Sequence, residues 1–290
     1  TLNLAANSTI SLGTGNHSLN FANSSAVSWA GTSLVINGWS GTAGASGTAG
    51  RIFFGTSNTG LTAGQLATIT FNGFPGTAAI LSTGEIVPAA PLVPSIAISG
   101  VDPGASTVTV GTNDVILHQY NLAVTVANTN LTGLNIVTAG TYATSDITNL
   151  KVRYSTDATL DVGDATLSTL VSPGTAGVLT FPAFVSQAIN SGNTGYIFVT
   201  ADIASGATSG NTINLAANAF SNFTFSAGTK TGTDPVAAAG VKTFSSLTPS
   251  IAISNSAPAS SNQNAGTTDV ILQRIDLNVT VSSTSLTGLT

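Results

Sequence analysis

The chain has 290 residues with no Cys and no Met, and charged residues make up 6% of it, against ~25% in an ordinary globular domain. Lack of Cys excludes disulfides, thiolate chemistry and cysteine metal sites, and a net charge of −5 without any basic cluster leaves nothing to displace counterions from phosphates, so nucleic acid is not an expected partner. No apolar run approaches the ~18–20 residues that span a bilayer, so no membrane insertion is expected of this segment.

Helix signals are nearly absent, because Gly, Asn and β-branched residues interrupt every apolar series at helical spacing. Strand signals are dense, as short alternating or apolar runs bounded by Gly, Asn, Asp and Pro. In order, the first part predicts strands in LNLAA, SLNFA, AVSWAG, SLVINGW, RIFFG, QLATITF and AAILSTG. EIVPAAPLVP follows, where Pro88, Pro91 and Pro94 predict an extended, semi-rigid connector. With no Met at residue 1, the N-terminus reads as processed or cut.

The next strands are expected in STVTV, DVILHQYNLAVTVAN, GLNIVT, LKVRYS, ATLST, GVLTF, GYIFVTADI, TINLAA, FTFS and VKTF. In NLAVTVAN, Leu122, Val124 and Val126 are expected on one apolar face. YIFVTADI is apolar on both faces and is expected in mid-sheet.

PSIAIS then occurs a second time. NDVILHQYNLAVTVANTNLTGL also returns, as TDVILQRIDLNVTVSSTSLTGL; Asp114 becomes Asp269 and Leu131 becomes Leu286, an offset of 155 residues with no net insertion. A period of that length is a folding unit rather than a solenoid coil. The expected organisation is an N-terminal β module at 1–91, a complete repeat at 92–248 and the start of a second copy at 249–290. The expected fold class is all-β, as tandem antiparallel β-sandwich modules of Ig-like type in an elongated array.

LKVRYSTDATLDVGDATLSTL and GYIFVTADIASGATSGNTINL resemble the β-sandwich repeats of large Bacteroidota cell-surface proteins of the type IX-secreted, gliding-adhesin-like kind. They are also similar to the N-terminal sandwich found ahead of some bacterial sialidase propellers. WAGTSLVINGWSGTAG, RIFFGTSNTGLTAGQLATITF and STGEIVP are similar to another module common in such exported proteins. The resemblance implies an extracellular, cell-surface location and an adhesive or gliding-filament role, and it transfers no active-site residues.

Catalytic signatures are missing. His17 sits beside a turn, and His118 lies in a strand and becomes Gln273 in the second copy, which suits structural histidines. Glu85 is the only Glu, so a glycosidase carboxylate pair has no marked members. No G-x-S-x-G elbow is present, and the Gly-rich run at 38–50 lacks the Lys and helix of a phosphate cradle. An enzyme is not expected.

Two ligand candidates remain. Asp157, Asp161 and Asp164 crowd one loop around Gly163 and are candidate calcium ligands, although their spacing is not that of an EF-hand and Asp also marks turns. Trp29 and Trp39 are candidate sugar-stacking rings for a surface polysaccharide, or plugs of the core. Three functions are weighed: a structural and adhesive segment of a surface filament, a filament subunit polymerising by strand complementation with like subunits, and a carbohydrate-binding region of an exported hydrolase.

Overall fold

The computed structural model describes residues 1–247, 249–281 and 283–288. Thr248, Ser282, Leu289 and Thr290 lie outside the described residues, and with them the position before Pro249 in the expected second boundary and the last two residues of the second copy. The chain is mostly β and divides into two compact units, Thr1–Leu92 and Val93–Thr290.

The first unit holds β1 (Ser8–Ser11), β2 (Ser18–Phe21), β3 (Leu34–Asn37), β4 (Arg51–Phe54), a short helix α1 (Ala63–Ala67), β5 (Ile69–Phe71), β6 (Ala78–Ile80) and β7 (Glu85–Pro88). One sheet runs β1-β3-β5 and the other β2-β4-β7-β6. Because the chain alternates between the sheets, it re-enters each one in the same direction. β1-β3, β3-β5 and β2-β4 are therefore parallel. Alternate residues from both sheets, among them Ile36, Ile52, Phe54, Ile69 and Ile86, form one core cluster. Each such fully buried side chain contributes about 1.5–3 kcal/mol.

The second unit begins with β8 (Ser95–Val101), β9 (Ser106–Thr109), β10 (Val115–Thr125), β11 (Thr129–Ala139), β12 (Ile147–Ser155) and β13 (Ala165–Val171). It continues through β14 (Val178–Thr180), β15 (Gln187–Ile189), β16 (Thr194–Ile203), β17 (Thr212–Leu215), β18 (Phe223–Phe225), β19 (Thr229–Gly232) and β20 (Lys242–Ser245). Its larger sheets run β13-β12-β16-β10-β8-β19 and β14-β11-β17-β20-β9, with β15 and β18 also on β11. Ile98, Leu122, Val152 and Val199 of the first share a cluster with Leu134, Ile136, Ile213 and Phe244 of the second. Two further strands, β21 (Ser250–Ser256) and β22 (Arg274–Thr280), form an antiparallel sheet of their own.

Several expectations are corrected. The sheets are mixed rather than antiparallel, since β19 and β20 close the repeat by pairing parallel with β8 and β9. EIVP is not connector but the buried strand β7, where Ile86 and Val87 enter the core and Pro88 accepts from the Gly44 N–H at 2.8 Å. LNLAA and AVSWAG are not strands, whereas Ser8–Ser11 is. QLATITF splits into the end of α1 and then β5, because Thr62 and Gln65 form a capping box. Val126 leaves the face of Leu122 and Val124: β10 ends at Thr125, and Val126 turns outward at φ 73°.

Candidate functional site

The densest polar constellation lies on β12 and its neighbours. Lys151 and Arg153 are two residues apart on one strand, so both project from the same face. Lys151 Nζ is 3.1 Å from Asp114 Oδ1 and 2.8 Å from Asp202 Oδ2, and Arg153 Nη1 is 3.5 Å from Asp114. Burial works against the charged form of Lys151, but Asp202 and Asp114 outweigh it and hold the ammonium pKa above its usual value. Asp202 is the mirror case. Burial opposes its ionisation, and bonds from Lys151, the Asp114 N–H and Asn149 bring its carboxyl below the usual range.

Asp146 is fully buried and accepts from the Ala143 N–H at 2.7 Å, the Thr208 N–H at 2.9 Å and Asn211 Nδ2 at 2.7 Å. These bonds overcome the opposing effect of burial and lower its pKa. It pins the β11–β12 turn to the segment between β16 and β17. Glu85, also buried, accepts from Ser46 Oγ at 2.5 Å and the Gly47 N–H at 2.8 Å. The Gly-rich segment is thus clamped, and it needs Gly at 47: a Cβ there would stand 2.9 Å from Trp39 Nε1 and 3.3 Å from Glu85 Oε1. Carboxylates held this way position backbone.

The expected ligand residues are placed as follows. Asp157 accepts from the Thr159 N–H at 2.8 Å and from its hydroxyl, and Asp164 Oδ2 accepts from the Asp161 N–H at 2.7 Å. The Asp161 and Asp164 carbonyls accept from Arg153 Nη2 at 3.2 and 3.0 Å, so a guanidinium already holds this loop. Among the described residues no group of three or more His, Asp or Glu side chains gathers closely enough to hold a metal ion. Asp157 and Asp164 close turns here through these bonds.

Trp39 is buried against Phe71 and Phe74 with edge-on rings at 5.6 and 4.9 Å, and therefore offers no free face to a sugar. Trp29 is half-buried against the same core, donates Nε1–H to the Leu2 carbonyl at 3.1 Å, and borders a depression of about 330 Å³ with Val27, Thr62 and Gln65. The paired platform is not formed. His17 packs beside Gly50, and its carbonyl accepts from the Arg51 N–H. His118 is buried with Nδ1 2.8 Å from the Gln119 carbonyl and Nε2 3.1 Å from the Ala237 carbonyl, and it stacks on Tyr120 at 4.4 Å. Its ring leaves no room for a Cβ at Gly100, which would lie 2.6 Å from Cε1. In the second copy both positions change together, to Asn255 and Gln273.

The two copies can be compared directly at β8–β10 and β21–β22. Ser95 pairs with Thr125, Ile96 with Val124, Ile98 with Leu122 and Val101 with Gln119. Ser250 pairs with Thr280, Ile251 with Val279, Ile253 with Leu277 and Ser256 with Arg274. Shifted by the repeat offset, the registers are identical. Asp114 and Asp269 also share a positive φ, 53° and 60°, as do Val126 and Val281 at 73° and 78°. No family model matches the chain, and no curated protein matches it.

Proposed function

We propose that this chain is a structural and adhesive segment of an extracellular, repeat-containing surface filament, in which Ig-like β-sandwich modules follow one another and space adhesive regions away from the cell. The observation that carries the reading is the common register of β8–β10 and β21–β22, which marks the 155-residue duplication as a repeat of structure and not only of letters. A sandwich is supported by the shared core of the two larger sheets in the second unit. The resemblance of the LKVRYS and GYIFVTADI regions to gliding-adhesin-like repeats supports an exported location. The role is non-enzymatic: the buried acids Asp146, Asp202 and Glu85 are occupied with backbone, amide, hydroxyl and lysine donors.

The intact denatured mass of the polypeptide recovered from the cell surface tests this. A mass many times 28.7 kDa is expected for a covalent array. A mass near that value would sink the reading and favour separate subunits.

A further inference from the structure

Two depressions bordered by aromatic rings differ in what their polar groups are doing. Around the one beside Trp29 the polar side chains are committed. Trp29 Nε1 donates to the Leu2 carbonyl, Gln65 Nε2 to the Ser24 and Val27 carbonyls at 2.9 Å and Thr68 Oγ1 to the Gln65 carbonyl, while Thr62 caps α1. The other depression, of about 380 Å³, lies in the second unit and is lined by Tyr154, Thr156, Gly192, Asn193, Thr194 and Tyr196. Among the described residues, none bonds to its two phenol hydroxyls, its two threonine hydroxyls or the Asn193 amide. All of these groups stay available to a ligand.

This second depression lies where β12 ends at Ser155, beside the first residues of β16. Tyr154 comes from the core side, opposite Ile197, and Tyr196 from the outer side, between Asn121 and Ser155. Gly195 seats the first ring, since a Cβ there would stand 2.8 Å from Tyr154 Cε2. The turn before β16 is tied down. The Gly192 N–H donates to the Val124 carbonyl at 2.8 Å, the Val124 N–H to the Asn193 carbonyl at 3.0 Å and the Ser191 N–H to Asn128 Oδ1 at 2.8 Å. After β12, Ser155 Oγ accepts from the Asp157 N–H at 3.2 Å. A ligand entering here meets walls that are already ordered, so little conformational freedom is lost on binding.

We propose that this depression binds one neutral sugar ring at the end of a glycan. Small-molecule sites span about 300–1,000 Å³, and this one falls at the low end, as a single ring requires. No charged side chain lines it, which leaves an anionic ligand without a partner. Each tyrosine offers an apolar ring to sugar C–H groups and a hydroxyl at its tip. The Asn193 amide supplies a donor and an acceptor together, the pair that neighbouring sugar hydroxyls can use. The inference goes beyond the filament reading by giving the complete repeat a ligand, and it does not depend on how many repeats the polypeptide has.

The test titrates the isotope-labelled full chain with galactose, glucose, mannose and N-acetylglucosamine, and with sialic acid as a charged control, following the backbone amide resonances. Saturable shifts confined to 154–156 and 191–196 are expected for at least one neutral sugar, at the millimolar concentrations that a single ring needs. Asn193→Ala removes a side chain that bonds nothing in the fold, so it is expected to leave thermal unfolding unchanged and to weaken that sugar by about five- to tenfold. Tyr196→Ala is expected to weaken it by at least about tenfold, and Trp29→Phe to bind like the parent chain. Absence of saturable binding to all the neutral sugars, shifts located elsewhere, unchanged affinity in both site variants, or tighter binding of sialic acid than of any neutral sugar would overturn the proposal. None of these results depends on the mass of the surface polypeptide, so the two readings fail separately.

Discussion

The pairs β8–β10 and β21–β22 have the same lengths of overlap, the same partners and the same positive-φ residues at their ends, yet one lies at the centre of a core and the other stands largely in solvent. The difference separates two causes that are usually tangled. Register follows from the local alternation of Ile, Leu and Val with Ser, Asn and Asp. Burial follows from what arrives later in the chain: β11, β16, β17 and β20 cover the first pair.

The sharpest way to break the comparison is a charge at matched positions. Ile98→Asp is expected to cost more than about 4 kcal/mol, because it places an unpaired carboxylate in the core. Ile253→Asp is expected to stay within about 0.5 kcal/mol. Urea unfolding of the two variants measures both. Truncation gives the next contrast. Leu122→Ala is expected to cost about 2–5 kcal/mol through lost transfer energy and a cavity, and Leu277→Ala well under half of that.

Acid is expected to sharpen the comparison through the buried carboxylates. Folding lowers the pKa of Asp146 and Asp202, so their ionised forms stabilise the complete copy at neutral pH. That contribution is fully present above the usual carboxylate value of about 4 and is lost as pH falls through the lower folded values. Circular dichroism between pH 6 and 2 should show the complete repeat opening below about pH 4, with Asp146→Asn flattening the dependence. The smallest expected effect comes from exchanging the copies' own residues. His118→Gln removes the ring stacked on Tyr120, and with it the ring N–H donor to a carbonyl, and should cost about 1 kcal/mol, while Gln273→His, on an exposed site, should cost nothing measurable by the same unfolding curves.

The long strands were legible because their alternation is strong: β10, β12 and β16 lie within a few residues of where their sequences put them. β15 and β19 were not, since QAI and TKTG carry no periodic apolar face and are strands only because β11 and β8 offer them edges. The helix α1 had a readable mark, Thr62 with Gln65 three residues on, but it is a single turn set among strand-forming residues. Parallel pairing was illegible for a different reason. It depends on the order in which the chain visits two sheets, and no residue encodes that alone.

Of the site residues, the aspartates of the 157–164 loop were readable as candidate ligands or as turn formers, and the Arg153 guanidinium that holds their loop is invisible in the loop's own sequence. The buried position of Trp39 likewise depends on Phe71 and Phe74, more than thirty residues away. The Lys151–Asp114–Asp202 cluster joins β12, β16 and the bend that leads into β10. Only Lys151 and Arg153, two apart in LKVRYS, gave any hint of it.

The closing strands have a kinetic consequence. β19 and β20 pair with β8 and β9, and the Gly240 N–H reaches Asp102 across 138 residues of chain. Pairings that distant are slow to find, because the loop must close before they reward it. As the repeat is made from its N-terminus, β8 and β10 must wait, paired and uncovered, until the last strands emerge.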